Sequence, residues 1–186
     1  MARLELTQAA IARALLAHPI FQGLTVQESV DFAAHCEVIH LSRGEVLFEQ
    51  GAVAQDMYMV LAGQITLTCK SPDGIPVVVG TASDVDIIGE MGVFDEAPRS
   101  ATAQAASDAT LLQLPGSAFS TMVDLGHAAA RSLLRWLRAQ LCERLRILDE
   151  RLDAVFDVQD AEVTDEVIQQ RVRGLWGAFR GEGETP

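Results

Sequence analysis

The spacing of apolar and polar positions changes twice along the chain. Up to about residue 35 the spacing is helical. Ile11, Leu15 and Leu16 share one face of a helix predicted over 7–17, with Thr7 placed to cap it. His18-Pro19 ends it, because the residue before proline avoids the α region. Phe21 and Leu24 lead to a second helix over about 25–35, capped by Thr25, with Val30 and Phe32 inward. From Cys36 to Leu114 the period is two. Val38, His40 and Ser42 alternate with Ile39 and Leu41, and Arg43-Gly44 makes a turn. Further strands are predicted over 46–49, 57–61, 65–69, 76–79 and 109–114, with a hairpin at Ala62-Gly63-Gln64 and a type I turn at Ser71-Pro72-Asp73-Gly74. Many short strands separated by turn signals indicate an antiparallel sandwich or barrel.

After Pro115-Gly116 the helical spacing returns. A short helix over 117–125 turns Phe119 and Met122 inward, and Gly126 breaks it. A long helix follows over about 127–158. Leu134, Leu141, Leu148 and Val155 recur every seven residues, and Leu137, Leu145 and Leu152 broaden the stripe. Such a stripe packs on the barrel, on a second copy, or on both. The expected fold is therefore α+β, an antiparallel β-barrel flanked by N-terminal helices and a long C-terminal helix. Its parts are helices over 1–35, the barrel over 36–115, helices over 116–158 and an acidic tail over 159–186.

Composition narrows the classes of function. Hydrophobic residues make up 49% of the 186, enough for a real core and too many for a disordered chain. The formal net charge is −12. Such a chain repels nucleic acid and anionic membranes on average, so neither is an expected partner. Cys36, Cys69 and Cys142 are far apart in sequence and form no CxxC pair, which points to reduced thiols in a cytoplasm. His18, His35, His40 and His127 show no metal-ligand spacing, so no metal site is expected. The apolar opening from Ala9 to Leu16 is short and broken by Arg13, which is neither a signal peptide nor a membrane span. No nucleophile–base constellation and no P-loop is present, so no catalytic residue is assigned and an enzyme is not expected.

The chemistry concentrates in residues 88–102, Ile-Gly-Glu-Met-Gly-Val-Phe-Asp-Glu-Ala-Pro-Arg-Ser-Ala-Thr. Gly89 and Gly92 let backbone N–H groups approach a ligand closely. A short turn of helix starting near Glu90 would aim such donors at an anion. Pro98 stiffens the approach to Arg99, whose planar guanidinium suits two phosphate oxygens at once. Ser100 adds a hydroxyl donor, and the Glu90 carboxylate is a good acceptor for a sugar hydroxyl. Phosphate together with a sugar hydroxyl reads as a nucleotide.

Gly89-Glu90-Met91-Gly92 and Pro98-Arg99-Ser100-Ala101-Thr102 closely resemble the two ends of the phosphate-binding cassette of cyclic nucleotide-binding domains, the family of catabolite activator proteins and protein kinase A regulatory subunits. The resemblance covers roughly residues 20–158 and implies a jelly-roll barrel, or double-stranded β-helix. It implies that Glu90 takes the ribose 2′-hydroxyl. Arg99 would pair with the cyclic phosphate, helped by Ser100 and the N–H groups of Met91, Gly92 and Ala101. Gly51 and Gly63 match a glycine motif of the family, where they turn barrel corners and are not counted as ligand residues. Val60, Leu61 and Ile88 either floor a base pocket or pack inward. The family usually places glycine before the aspartate that leads into the cassette; here Val85 precedes Asp86, and the turn there is expected to be altered.

Arg144 lies where family members carry a lid over the base, with Trp136 and Phe156 as weaker candidates. The Thr-Ser pair with which catabolite activator proteins hold adenine is missing. The resemblance also implies a homodimer through the long helix. The tail is too short and acidic for the DNA-binding domain of the family's transcription factors, and Trp176 and Phe179 within it suit a protein partner, a second subunit or the barrel itself. The implied function is a stand-alone sensor of cAMP, favoured over cGMP by Ser100 in place of threonine, signalling through the long helix. The alternative is a scaffold or interaction module that keeps the fold without useful ligand affinity.

Overall fold

Capping chemistry sets the first two helices in the computed structural model, which describes residues 2–3, 7–71 and 74–159. Thr7 Oγ1 accepts the Ala10 N–H at 3.4 Å and starts α1 (Gln8–Ala17). Thr25 and Glu28 form a reciprocal box at the start of α2 (Val26–Ala33): the Glu28 N–H donates to Thr25 Oγ1 at 3.2 Å, and the Thr25 N–H to Glu28 Oε2 at 2.8 Å. A 3-10 turn, Pro19–Phe21, joins them and buries Phe21 against Phe32, their ring centroids 5.3 Å apart. By its internal contacts the chain divides into two units, Met1–Leu137 and Arg138–Pro186.

The strands are β1 (Ala2–Arg3), β2 (Glu37–Leu41), β3 (Val46–Phe48), β4 (Asp56–Ala62), β5 (Ile65–Lys70), β6 (Pro76–Ala82), β7 (Ile87–Ile88), β8 (Thr102–Ala105) and β9 (Ala109–Pro115). They form two antiparallel sheets, ordered β1-β2-β9-β4-β7 and β3-β8-β5-β6, in the jelly-roll manner. Ile39, Tyr58, Val60 and Leu111 of the first sheet join Leu47, Ile65, Ala103 and Ala105 of the second in one core. Val38, Met57, Met59, Leu112 and Leu114 leave the other face of the first sheet and join Leu15, Phe21, Phe32, Phe119 and Leu133 of the helices in another. This double burial explains why Met57–Val60 is apolar without a break: every side chain of that run meets a core.

Three short strands, β1, β7 and β8, have no counterpart among the expected elements, β1 falling where only helices are expected, and β6 runs three residues further than its expected end. β8 reads Thr-Ala-Gln-Ala, with little strand propensity. It is a strand because only the small Ala103 and Ala105 fit between the sheets, where both are buried.

Helices α3 (Met91–Phe94), α4 (Gly116–Asp124) and α5 (Ala128–Gln159) complete the described chain. Phe119 and Met122 are buried, as α4's pattern requires. On α5 the inward face carries Ala129, Ala130, Leu133 and Leu137. Leu134, the expected first residue of the heptad stripe, is 36% exposed. A seven-residue leucine count passes over alanines, and alanines are what let this helix approach closely. Arg146 meets Glu143 at 3.2 Å, an exposed pair of small energetic weight. The side chains of Leu148, Leu152 and Val155, and all expectations for residues 160–186, fall outside the described residues. Among the described residues, no helix is long and apolar enough to cross a membrane.

Candidate functional site

Residues 88–102 connect β7 to β8, and their path is dictated by close backbone approaches. Gly89 has φ +78°, a conformation that side chains resist, and a Cβ there would run into Nη1 of Arg99. Glu90 then begins α3, its carbonyl accepting the N–H groups of Val93 at 3.1 Å and Phe94 at 3.2 Å. A Cβ on the buried Gly92 would strike Ala54 Cβ and the Ala97 carbonyl. The two glycines thus serve close packing of the segment on its surroundings.

The turn ahead of the segment carries Val85 in the left-handed region. That residue takes φ +84°, and its N–H donates to the Val60 carbonyl at 3.2 Å. Asp86 Oδ2 closes the turn by accepting the Ser83 N–H at 2.9 Å. A β-branched side chain in this region is strained.

Arg99 is the centre of the segment and is 5% exposed. Its backbone is pinned on both sides: its N–H donates to the Ala52 carbonyl, and its carbonyl accepts the Gly51 N–H, both at 2.8 Å. Its side chain lies inward. Nη1 donates to the Gly89 carbonyl and Nη2 to the Asp56 carbonyl, each at 2.7 Å. The guanidinium carbon sits 4.2 Å from the Phe48 ring centroid and 5.7 Å from that of Tyr58. Phe48 and Tyr58 stack on each other at 5.9 Å. The buried Nε–H meets no acceptor among the described residues.

Burial pulls the Arg99 pKa below its ordinary value, while Tyr58, Asp56 and Glu90 oppose the shift through their charge. The guanidinium stays protonated throughout. Burial likewise raises the Tyr58 hydroxyl, with Asp56 adding to the rise and Arg99 opposing it. Asp56 is itself steadied by Gln113, whose Nε2 donates to Oδ2 at 2.8 Å.

Glu90 is 5% exposed and close enough to Arg99 for their charges to interact, so the structure brings together Gly89, Glu90 and Arg99. Ala101 is buried at the start of the return into β8. Ser100 is exposed, and its carbonyl accepts the Cys69 thiol at 3.2 Å. Met91 is exposed on α3. Asp95 and Glu96 face solvent. Val60 and Ile88 pack inward between the sheets, and Leu61 against the helical core. Trp136 is half-buried on that same core, and Arg144 lies exposed on α5 in the second unit. The side chain of Phe156 is outside the described residues. Among the described residues, no cluster of three or more His, Cys, Asp or Glu could hold a metal.

Phe48, Tyr58 and the Asp56 carbonyl escaped the sequence reading. One signal was available: Tyr58 is the only tyrosine of a chain in which aromatic residues are 5% of the total. A carbonyl carries no sequence signal at all. The arrangement provides a desolvated cation beside a carboxylate, with two backbone carbonyls on its terminal nitrogens. It suits recognition of an anion joined to a hydroxyl, and it contains no paired acid and base for bond making.

A family model described as cyclic nucleotide-binding domain matches residues 38–124. An uncharacterized ABC transporter ATP-binding protein of Mycobacterium tuberculosis is 41% identical over 83 residues, which are 45% of this chain and 25% of that protein. The chain spans about a quarter of the length of the curated relatives it matches first. A CRP-like cAMP-activated global transcriptional regulator of M. tuberculosis is 22% identical over 151 residues, 81% of this chain and 66% of that one. Among solved structures, a cyclic nucleotide-binding domain from Methylobacillus flagellatus superposes with a TM-score of 0.68 at 17% identity, covering 88% of this chain and 90% of that one; at this identity the likeness is one of fold.

Proposed function

Since residues 38–124 belong to the cyclic nucleotide-binding domain family, we propose that this chain senses a cyclic nucleotide, cAMP in preference to cGMP, and acts by binding rather than by catalysis. The observation that carries the proposal is the burial of Arg99 and Glu90 together in one short segment. Arg99 takes the ring phosphate and Glu90 the ribose 2′-hydroxyl. The N–H groups of Met91, Gly92 and Ala101 and the Ser100 hydroxyl supply further donors. A linear nucleotide, lacking the ring ester, binds less well.

Binding has a cost built into the site. Two N–H groups of Arg99 already serve carbonyls, so an anion must compete with Gly89 and Asp56 or draw the segment toward itself. That competition is the proposed switch. A ligand shifts the segment only by the difference in its affinity for the two arrangements. The shift passes to α5, where the exposed Leu134 and Leu145 lie on one side of the helix and offer apolar contact to a second copy of the chain. Arg144 is proposed as the group that covers the base.

The scaffold reading draws on the same geometry. Arg99 terminal nitrogens held by carbonyls and a strained Val85 would equally suit a fold kept without ligand affinity. Titration calorimetry with cAMP, cGMP and AMP separates the two. A saturable micromolar response to a cyclic nucleotide, lost in Arg99→Lys and weakened in Glu90→Gln, with both variants folded by circular dichroism, supports the sensor. No heat with any of the three at millimolar concentration leaves the scaffold.

A further inference from the structure

A second cationic feature lies in the cleft between the loop after the 3-10 turn and the first turns of α5. Gly23, Leu24 and Glu28 form one wall, and Arg131, Ser132 and Arg135 the other. The cleft has a volume of about 360 Å³ and shares no lining residue with segment 88–102. Gly23, with nothing within 4 Å of where a Cβ would stand, leaves its mouth open. Arg131 and Arg135 are one turn apart on the same helix face and both exposed. Like charges at that spacing disfavour a helix. Ser132, nine-tenths buried, accepts from Arg135 Nη2 at 3.0 Å and orients that guanidinium. The Arg131 guanidinium is within reach of the Glu28 charge, which it and His127 stabilise. The acid in the lining, Glu28, is committed to the α2 cap: Oε2 accepts from both the N–H and the Oγ1 of Thr25 at 2.8 Å.

We propose that this cleft binds a phosphate group, as a second ligand site independent of the cyclic nucleotide. Two guanidiniums and a hydroxyl offer more donors than a carboxylate's two oxygens can use, and they match the charge and oxygen count of a phosphate dianion. Occupation relieves the repulsion between Arg131 and Arg135. In a chain of net charge −12, a site of this sign stands against the average field and selects by local geometry. The phosphate is carried either by a small molecule or by a lipid headgroup.

The test uses the full chain at constant ionic strength, with chloride as the balancing anion. Thermal unfolding is followed with inorganic phosphate, with glycerol 3-phosphate, and with phosphatidylcholine vesicles containing phosphatidic acid. The expected result is a saturable rise in Tm with one of the three, the responding probe identifying the source. The apparent affinity falls about tenfold or more in Arg131→Gln/Arg135→Gln. It rises in Glu28→Gln, which keeps the cap but removes the opposing charge. It is unchanged in Arg99→Lys. A response to none of the three overturns the proposal. So does a response that survives the double glutamine variant or disappears with Arg99→Lys, and so does weaker binding in Glu28→Gln. Cyclic nucleotide titration of the same double variant keeps this outcome separate from that of the sensor.

Discussion

Arg99 and the pair Arg131–Arg135 are the same side chain in opposite settings. Arg99 is buried, its N–H groups fall on two backbone carbonyls, and two aromatic rings flank it. Arg131 and Arg135 are exposed on a helix surface, where Arg135 donates to Ser132 and Arg131 feels the charge of Glu28. The first is part of the framework, so its function and its structural role cannot be separated. The second pair can be removed with little loss to the fold. A buried guanidinium gains position from its surroundings at the cost of desolvation, whereas an exposed one keeps its hydration and its freedom.

The largest expected effect comes from erasing the buried member. Arg99→Ala leaves the Gly89 and Asp56 carbonyls without donors and opens a void beside Phe48, and it is expected to cost about 2–4 kcal/mol in urea unfolding. Arg131→Ala or Arg135→Ala is expected to stay within about 0.5 kcal/mol. Equal losses at both places would remove the distinction.

Next is Gly89→Ala. A side chain at φ +78° is strained, and its Cβ displaces Arg99 Nη1, so about 1–3 kcal/mol is expected to be lost together with nucleotide affinity. Val85→Gly should move the other way. Releasing a β-branched residue from φ +84° outweighs the added freedom of glycine in the unfolded chain, and a gain of about 1 kcal/mol is expected in the same assay. Any loss there would mean that Val85 is not strained.

The smallest effect is a pH dependence from His18. Burial lowers its pKa below the ordinary 6.5, and its Nδ1 accepts the Ile20 N–H at 3.4 Å, which requires an unprotonated nitrogen. The unfolded chain therefore binds the proton more readily. The stabilisation is complete above about pH 6.5 and is lost as pH falls from there through the lowered folded value. The Tm should drop between pH 7 and pH 5, and His18→Gln should flatten the part of the slope due to this residue.

Much of the architecture could be read from spacing. The caps at Thr7 and Thr25, the strands through Val38–Leu41 and Met57–Leu61, and the pair Phe119–Met122 all follow from local periodicity, because side-chain direction alternates or rotates predictably along regular backbone. The inward seam of α5 was misplaced by one residue because alanine carries little hydrophobic weight, although it packs most closely. β8 was missed for the same reason.

The residues that single out segment 88–102 are also legible in residue order, since a glycine-glutamate pair and an arginine ten residues after the first glycine are local facts. The direction of Arg99 was not. It depends on Phe48, Tyr58 and the Asp56 carbonyl, which come from other strands and are set by sheet pairing. The same holds for the cleft of Arg131 and Arg135, whose opposite wall is contributed by residues a hundred positions earlier in the chain. Short-range order carries composition and period, whereas the electrostatic surroundings of a charge are assembled from distant segments, and only folding brings them within hydrogen-bonding distance.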